Sequence, residues 1–286
     1  MALKNRTAYA ATAVGWVLAL AGTGAGQMNA PLPAGCSMAD HGTIVYEGGM
    51  AGRQPWTSAA FLADSLRFGF AAAGTDFYDR MDNFNDRWIA HAAAGGWAVF
   101  PHVSVKASYQ HFTVLSVYRE QTGFVSAATD LVPFVRIGAE VTGVRAGLTQ
   151  AEGARTAGEL GCILYVPRRF GSVSLQISHL TIKRAGADGF GQSPSYRVGF
   201  HSARNSFGAQ GFVFEHVLEE KPVFRFLFGE QYWLCDWAGF SAGISTAPFM
   251  VGFGVQVDLP HAGCAMSLVH HPVLGWSKGV MGEWRR

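Results

Sequence analysis

The clearest pattern in the chain is a strict alternation of apolar with small or polar residues in the segment Pro248–Asp258. Apolar side chains occupy every second position from Val251 to Val257, and glycine or glutamine occupies the positions between them. Successive side chains of an extended strand point to opposite faces, so this alternation predicts a β-strand with one apolar surface. Only Leu259-Pro260 separates it from a second alternating run, which predicts a tight hairpin.

The same period of two recurs along most of the chain and predicts an all-β protein with fourteen strands, or twelve if one hairpin is misread. Long and short connections alternate, and the long ones follow the odd-numbered strands. An even strand count with this alternation is typical of an antiparallel up-and-down transmembrane β-barrel. The predicted strands are Leu66–Thr75, Trp88–Val99, His102–Ser116, Thr122–Leu131, Phe134–Val144, Gly158–Val166, Phe170–Thr181, Ser195–Arg204, Phe207–Val217, Pro222–Trp233, Trp237–Thr246, Pro248–Asp258, His261–His270 and Ser277–Trp284.

Composition bears on which solvent the apolar faces meet. Only 15% of the 286 residues are charged, against roughly 25% in an ordinary soluble domain. A soluble all-β protein with an apolar interior would show the same alternation, but its outer face would carry more charge. The polar faces here are mostly glycine, alanine and serine, and aromatic residues recur near strand ends as in the interfacial girdles of membrane barrels. These predicted girdle residues are Trp88, Trp97, Tyr109, Tyr118, Tyr165, Tyr196, Trp233, Trp237, Trp276 and Trp284.

The N-terminal region predicts export. Lys4 and Arg6 precede an apolar run, Ala10–Ala21, and small residues follow it, which is the pattern of a signal peptide over residues 1–26. An uncleaved anchor helix is the alternative. Residues 27–64 predict an irregular segment that could form a short plug, with a helical turn within Pro55–Asp64, and residues 65–286 predict the barrel. The net charge of +2 gives no reason to expect a nucleic-acid partner.

Charged and amide side chains on the predicted strands should face the lumen, because a charge that faces lipid at mid-membrane costs about 2–4 kcal/mol. They could line a permeation path and bind what passes, or they could pair with one another, since small barrels fill their interiors with side chains. Candidate lumen-facing binding residues are Lys106, Gln110, Arg136, Glu140, Arg197, Arg225, Gln256 and Asp258.

Other chemistry is sparse. Four widely spaced cysteines, at positions 36, 162, 235 and 264, show no metal-binding spacing, so we expect no metal or cofactor. Their disulfide state is open, although Cys162 and Cys264 fall on predicted strands and are expected to be buried. Ser178-His179, His111 and His216 show no spacing that identifies a catalytic triad, and we predict that the protein is not an enzyme. A lipid-modifying outer-membrane enzyme is kept as a hypothesis.

The C-terminal quarter, Lys221–Trp284, resembles the PorV/PorQ-type outer-membrane barrels, which are related to the long-chain fatty-acid transporter family. The resemblance rests on Ser245–Phe249, Gly252–Val255 and His271–Ser277, and more weakly on Gln54–Trp56 with Phe68–Phe70. It implies a fourteen-stranded barrel in the outer membrane of a Gram-negative-type cell, in contact with outer-membrane lipid. It also implies a porin-like or transporter-like function for small or hydrophobic compounds. The alternative is a secretion-associated scaffold or shuttle with a secretion-system protein as its partner.

Overall fold

The computed structural model describes residues 58–62, 67–76, 89–114, 118–148, 155–168, 171–185, 193–202, 208–218, 222–247, 249–272 and 275–286. Fourteen strands in this part of the chain form one closed antiparallel barrel in sequence order. They are β1 (Phe68–Asp76), β2 (Ile89–Phe100), β3 (Val103–Val114), β4 (Tyr118–Val132), β5 (Val135–Leu148), β6 (Arg155–Arg168), β7 (Gly171–Ala185), β8 (Ser195–Ser202), β9 (Ala209–Val217), β10 (Val223–Trp233), β11 (Ala238–Ser245), β12 (Met250–Asp258), β13 (Ala262–His271) and β14 (Gly275–Arg285).

The first and last strands close the barrel. They pair from Gly69↔Arg285 to Asp76↔Lys278, and the Arg286 N–H donates to the Phe68 carbonyl at 3.0 Å. Because the first and last strands pair, the sheet has no free terminal strand, as a barrel in lipid requires. The predicted up-and-down barrel of fourteen strands is therefore confirmed.

The barrel has two distinct ends. The start of β1, the end of β14 and the tight turns Pro101-His102 and Pro133-Phe134 lie together at one end, and the longer predicted connections leave from the other. In outer-membrane barrels the short turns are periplasmic and the long loops extracellular. We refer to the two ends by those names.

The outer surface of the barrel is apolar and the inner surface is small or polar. Val125, Phe253 and Met266 expose 59%, 50% and 60% of their surface outward, whereas Ser126 and Ser267 on the same strands face inward and are buried. A soluble sandwich would bury the apolar face instead. The orientation confirms the prediction of a membrane-spanning barrel whose outer face meets lipid.

Several aromatic predictions need correction. Tyr109, Tyr196, Trp237, Trp276 and Trp284 are exposed on the outside, as an interfacial girdle requires. By contrast, Trp97 and Tyr165 are buried inside the barrel, and Trp233 packs over Gly239 on the inner wall. These three residues lie near strand ends as predicted, but the alternation places their side chains on the inward face. Trp88 and the side chain of Tyr118 lie outside the described residues.

The predicted cysteine burial was also wrong. Cys162 and Cys264 lie on strands, but both are exposed on the outer face, and Cys235 is exposed in the β10–β11 turn. All three thiols are free. Cys36, the predicted signal peptide and nearly all of the predicted segment 27–64 lie outside the described residues. No helix in the described ranges is long and apolar enough to cross a membrane.

Strand lengths divide the barrel wall into a tall side and a short side. Strands β4 to β7 have 14 or 15 residues each, whereas β8 and β9 have 8 and 9. At about 3.3 Å per residue, the tall side continues well beyond the apolar band at the extracellular end. In the register, β8 pairs with β7 only as far as Ser178.

The sequence predicts loops at Val117–Gln121, Arg145–Thr156 and Ile182–Pro194, and in each of them strands occupy part of the segment because the tall wall extends beyond the apolar band. Val117–Gln121 was predicted as a loop, but β4 begins at Tyr118, and β5 and β7 continue to Leu148 and Ala185. Beyond the lipid band, a strand can carry polar residues on both faces, which removes the alternation from which strands were recognised.

One described segment lies inside the barrel. Residues Ser58–Leu62, which we call the lumen segment, form a single 3₁₀ turn at Ala59–Phe61 and are almost completely buried. The turn is capped by Ser58, whose side chain accepts a hydrogen bond from the Ala60 N–H at 3.3 Å. The helical turn predicted within Pro55–Asp64 is thus present.

Candidate functional site

The lumen segment is attached to the inner wall by hydrogen bonds to its backbone. The Ala59 N–H donates to Ser126 Oγ on β4 at 2.9 Å, and the Ala59 carbonyl accepts from Ser104 Oγ on β3 at 2.8 Å. Both serines occupy inward-facing positions and are buried. Two strands therefore satisfy both polar backbone groups of one residue, which fixes the height of the segment in the lumen.

Arg136 completes the attachment from β5. Its Nη1 donates to the Leu62 carbonyl, and its Nε donates to Asp130 Oδ1 at 2.7 Å. Asp130 lies opposite Arg136 in the β4–β5 register, so the carboxylate orients the guanidinium toward the segment. Arg136 thus forms an ion pair within the wall and also donates a hydrogen bond to the backbone of the lumen segment.

Space for the segment is provided by a glycine. A Cβ at Gly138 would lie 2.9 Å from Ile163 Cγ2, 3.2 Å from Ala60 Cβ and 3.3 Å from Ser58 Oγ. Any larger residue would crowd the segment away from the wall.

Apolar side chains also pack around the lumen segment. Phe61 meets Tyr165 edge-on with ring centroids 5.5 Å apart. The segment belongs to one buried cluster that includes residues from β1, β2, β4, β6 and β14. Its members outside the segment are Ala71, Ala73, Ala93, Trp97, Ala128, Ile163, Tyr165 and Met281. Apolar contacts at this level therefore connect β14, β1 and β2 with β4 and β6 through the lumen segment.

The inner wall at β8–β10 carries a network of ion pairs. Glu215 on β9 accepts from Arg197 Nε on β8 at 2.7 Å and from Arg225 Nη1 on β10 at 3.2 Å. Arg225 also donates to the Ala247 carbonyl at 2.9 Å. The side chains of Arg197, Arg225 and Glu215 are 12%, 4% and 2% exposed, so each charge depends on its partners for solvation.

A β-bulge on β7 places a histidine in this interior. The β6–β7 register shifts between Leu160 and Cys162, and His179 adopts a left-handed backbone conformation with φ of 63°. Its Nδ1 lies 2.7 Å from Glu159 Oε2, while Ser178 accepts a hydrogen bond from Gln176 at 2.9 Å. Bulges re-aim side chains in this way. Ser178 and His179 thus have separate partners and show no nucleophile–base geometry.

All eight candidate residues occupy inward-facing positions, four buried and four partly buried. The structure brings some of them together: Arg197 and Arg225 share Glu215, and Glu140 lies over Gly161 within hydrogen-bond reach of Gln176 and Ser178. Others are dispersed. Lys106 and Gln110 lie on β3. Gln256 makes no side-chain hydrogen bond in the structure, and Asp258 forms an ion pair with Arg285 at the periplasmic end.

Sequence reasoning missed several residues of the same networks. They are Asp130, Glu159, His179, Glu215, Glu283 and Arg285. Glu215 could have been found, because it alternates with the small inward residues of β9. The role of His179 could not, because the bulge breaks the period at that position.

The described residues contain no group of three or more histidine, cysteine and acidic side chains placed to hold a metal ion. A groove of about 420 Å³ does occur, but on the outer surface near the periplasmic ends of β7–β10, between Phe200, Phe212 and Phe228. It is a feature of the lipid-facing wall and is separate from the lumen.

No family model matches the sequence, and no curated protein matches it by sequence. Solved structures do match its fold. The toluene transporter TbuX of Ralstonia pickettii is 11% identical with a TM-score of 0.60, over 87% of this chain and 97% of TbuX. The monoaromatic hydrocarbon channel CymD is 10% identical with a TM-score of 0.58, over 80% and 91%. A FadL homologue from Pseudomonas aeruginosa is 9% identical with a TM-score of 0.57, over 85% and 94%.

These likenesses concern the fold. The chain shares the closed barrel fold of these outer-membrane proteins, one of which is a FadL homologue, and this agrees with the fold that the resemblance implied.

Proposed function

We propose that the protein is an outer-membrane channel that passes small, largely apolar molecules, with the lumen segment as its gate. The observation that carries this proposal is the apolar cluster inside the barrel, which Phe61 and Leu62 complete. An open water-filled porin has a polar interior at this level. An apolar constriction excludes water and ions, whereas it favours an apolar solute.

The way the charges are arranged agrees with this function. Most charged inward side chains form ion pairs with one another, as at Arg197–Glu215–Arg225 and Arg136–Asp130. A carboxylate that is already neutralised in this way attracts a charged solute weakly. We infer that the candidate lumen-facing residues mainly stabilise the barrel wall and contribute less to binding of a transported compound. Uncharged compounds are then the substrates.

The structural neighbours support the same class of substrate. TbuX is described as a toluene transporter and CymD as a monoaromatic hydrocarbon channel. The more specific resemblance to PorV/PorQ-type barrels, and the secretion-system partner that goes with it, remain predictions from the sequence alone.

The test uses Arg136→Ala in the full-length protein. Hydrogen bonds to a charged group contribute roughly 1.5–3 kcal/mol, so losing the bond to Leu62 should raise the released fraction of the lumen segment about tenfold or more. We expect low conductance for the unmodified protein in planar bilayers, uptake of labelled toluene into proteoliposomes, and an increase of both in the variant. Arg136→Lys keeps the charge beside Asp130 and should give an intermediate result.

Heat-modifiable gel migration shows that each variant is a folded barrel. If neither the unmodified protein nor Arg136→Ala passes toluene or ions, passage is contradicted and the scaffold hypothesis replaces it. High ion conductance by the unmodified protein, with no dependence on Arg136, would contradict the gate.

A further inference from the structure

A row of basic side chains lies on the outside of the tall wall near its extracellular end. Arg119 on β4 and Arg145 on β5 are exposed and face outward, and the partly buried His111 on β3 lies in the same row as Arg145. The register places His111 opposite Gln121, and Gln121 opposite Arg145. Arg119 is two residues from Gln121, so the two arginines are diagonal neighbours, roughly 7–8 Å apart.

The height of this row matches the upper boundary of the apolar band. Arg145 follows Val135 by ten positions along β5. With about 3.3 Å per residue and a tilt of roughly 40°, it lies about 25 Å above Val135 along the membrane normal. The apolar band of such barrels is about 25 Å tall. The guanidinium groups are therefore at the level of the outer-leaflet headgroups.

No acid balances these charges within the described wall. Outward-facing positions on β2 to β6 contain neither aspartate nor glutamate, because Glu120, Asp130, Glu140 and Glu159 all face the lumen. Two neighbouring cations at a membrane interface repel each other unless an anion lies between them. Guanidinium is also the group best suited to bind phosphate through paired hydrogen bonds.

The wall directly below the basic row is open. Tyr109 on β3 is exposed, and the two residues beside it in the register are Gly123 on β4 and Gly143 on β5. A Cβ at either glycine would meet nothing within 4 Å. Val125 and Val141 continue the surface toward mid-membrane with more than half of each side chain exposed. A shallow apolar channel therefore leads down from the cationic row.

We propose that this surface binds a phosphorylated, multiply acylated glycolipid of the outer leaflet, of the lipid A type. Its phosphate groups lie between Arg119 and Arg145 with His111 beside them, and an acyl chain lies along Gly123 and Gly143 against Tyr109. Charge complementarity selects the phosphate, and the position at the extracellular end selects the outer leaflet. This site is independent of passage through the lumen.

The experiment titrates the detergent-solubilised full-length protein with lipid A and measures bound lipid by native mass spectrometry. Basic residues at a membrane surface act nearly additively, and we expect about fivefold weaker binding for Arg119→Ala or Arg145→Ala and about 25-fold for the double variant. Phosphatidylglycerol should bind the unmodified protein at least tenfold more weakly than lipid A. Dephosphorylated lipid A should bind as weakly to the unmodified protein as lipid A does to the double variant.

Lys278→Ala is the matched control. Lys278 on β14 is also basic, exposed and outward-facing near the extracellular end, but it lies opposite Asp76 in the β1–β14 register. Its loss should change lipid A binding less than twofold. Equal binding of phosphatidylglycerol and lipid A, full binding by the double variant, or an equal loss in Lys278→Ala would each overturn the proposal. Heat-modifiable migration confirms that every variant is folded.

Discussion

On the β3–β6 side of the barrel, inward-facing Ser104, Ser126 and Arg136 bind the backbone of the lumen segment, which is not part of the wall. On the β8–β10 side, inward-facing Arg197, Glu215 and Arg225 bind one another. We call the first the docking wall and the second the paired wall. In both walls these side chains have partners, but only the docking wall has a partner that could leave.

The difference separates two roles that one lumen has to combine. Bonds within the paired wall connect neighbouring strands, so breaking them should weaken the barrel itself. Bonds at the docking wall connect the barrel to the lumen segment, so breaking them should open the lumen while the strands remain paired. Stability and conductance are therefore expected to respond to different residues.

The largest effect should come from the paired wall. Glu215→Ala leaves Arg197 and Arg225 buried without their shared carboxylate, and removing one partner of a buried ion pair typically costs about 3–5 kcal/mol. We expect a loss of about 3 kcal/mol in the free energy of unfolding, measured by urea titration of the heat-modifiable gel band. Conductance of the folded fraction should not change.

Glu230→Gln on the outer face of β10 is the control for that variant. The carboxylate of Glu230 accepts hydrogen bonds from Gln210 at 2.8 Å and from Tyr232, with no basic partner among the described residues. Its neutralisation should change stability by about 1 kcal/mol or less. Equal losses of unfolding free energy in the two variants would mean that Glu215 stabilises the barrel no more than any other hydrogen-bonded carboxylate does.

A smaller effect, on conductance, should come from crowding the docking wall. Gly138→Ala brings a methyl group within 3.2 Å of Ala60 and 2.9 Å of Ile163. Overpacking of this kind costs about 1–3 kcal/mol, and the lumen segment can relieve it by leaving. We expect conductance to rise at least fivefold, with the unfolding midpoint little changed.

Gly143→Ala on the same strand is the matched control, because both changes reduce the freedom of the unfolded chain equally. Gly143 faces outward, and its added methyl group would meet nothing within 4 Å. It should leave conductance at the level of the unmodified protein. A similar rise for both variants would show that the strand, and not the segment, controls the opening.

The strands of both walls could be predicted because lipid imposes the alternation. Wherever one face of a strand meets acyl chains, every second residue is apolar, and the predicted ends of β10 to β14 agree with the structure to within two residues. Predictions failed where lipid no longer acts. At the start of β4, Tyr118–Gln121 stands above the band, where Arg119 and Gln121 can face outward without cost, so the alternation that predicts a strand is absent.

The candidate site was predictable as a face but not as a set of contacts. Alternation assigns each residue of a strand to one of its two faces, so it predicts that Arg136, Arg197 and Arg225 point inward. It contains no information on which residues of other strands lie within reach. That Arg197 and Arg225 share Glu215 follows from the register of three strands, and that Arg136 binds Leu62 follows from a segment 74 positions away in the chain.

The smallest and most specific effect compares the same substitution on the two walls. Ser126→Ala removes the acceptor of the Ala59 N–H, which lies 2.9 Å away, and leaves that donor buried without a partner. Ser195→Ala on β8 removes a buried hydroxyl that makes no hydrogen bond in the structure. A lost hydrogen bond of this kind costs about 1 kcal/mol, which corresponds to roughly fivefold more frequent release of the segment.

We therefore expect conductance to rise about fivefold in Ser126→Ala and to stay unchanged in Ser195→Ala, with stability of the barrel altered by less than about 1 kcal/mol in both. Because the chemical change is identical, any general effect of losing a hydroxyl from the lumen would appear in both variants. An increase confined to Ser126→Ala can come only from the bond to the lumen segment. Equal conductance in the two variants would mean that the attachment to the docking wall does not keep the channel closed.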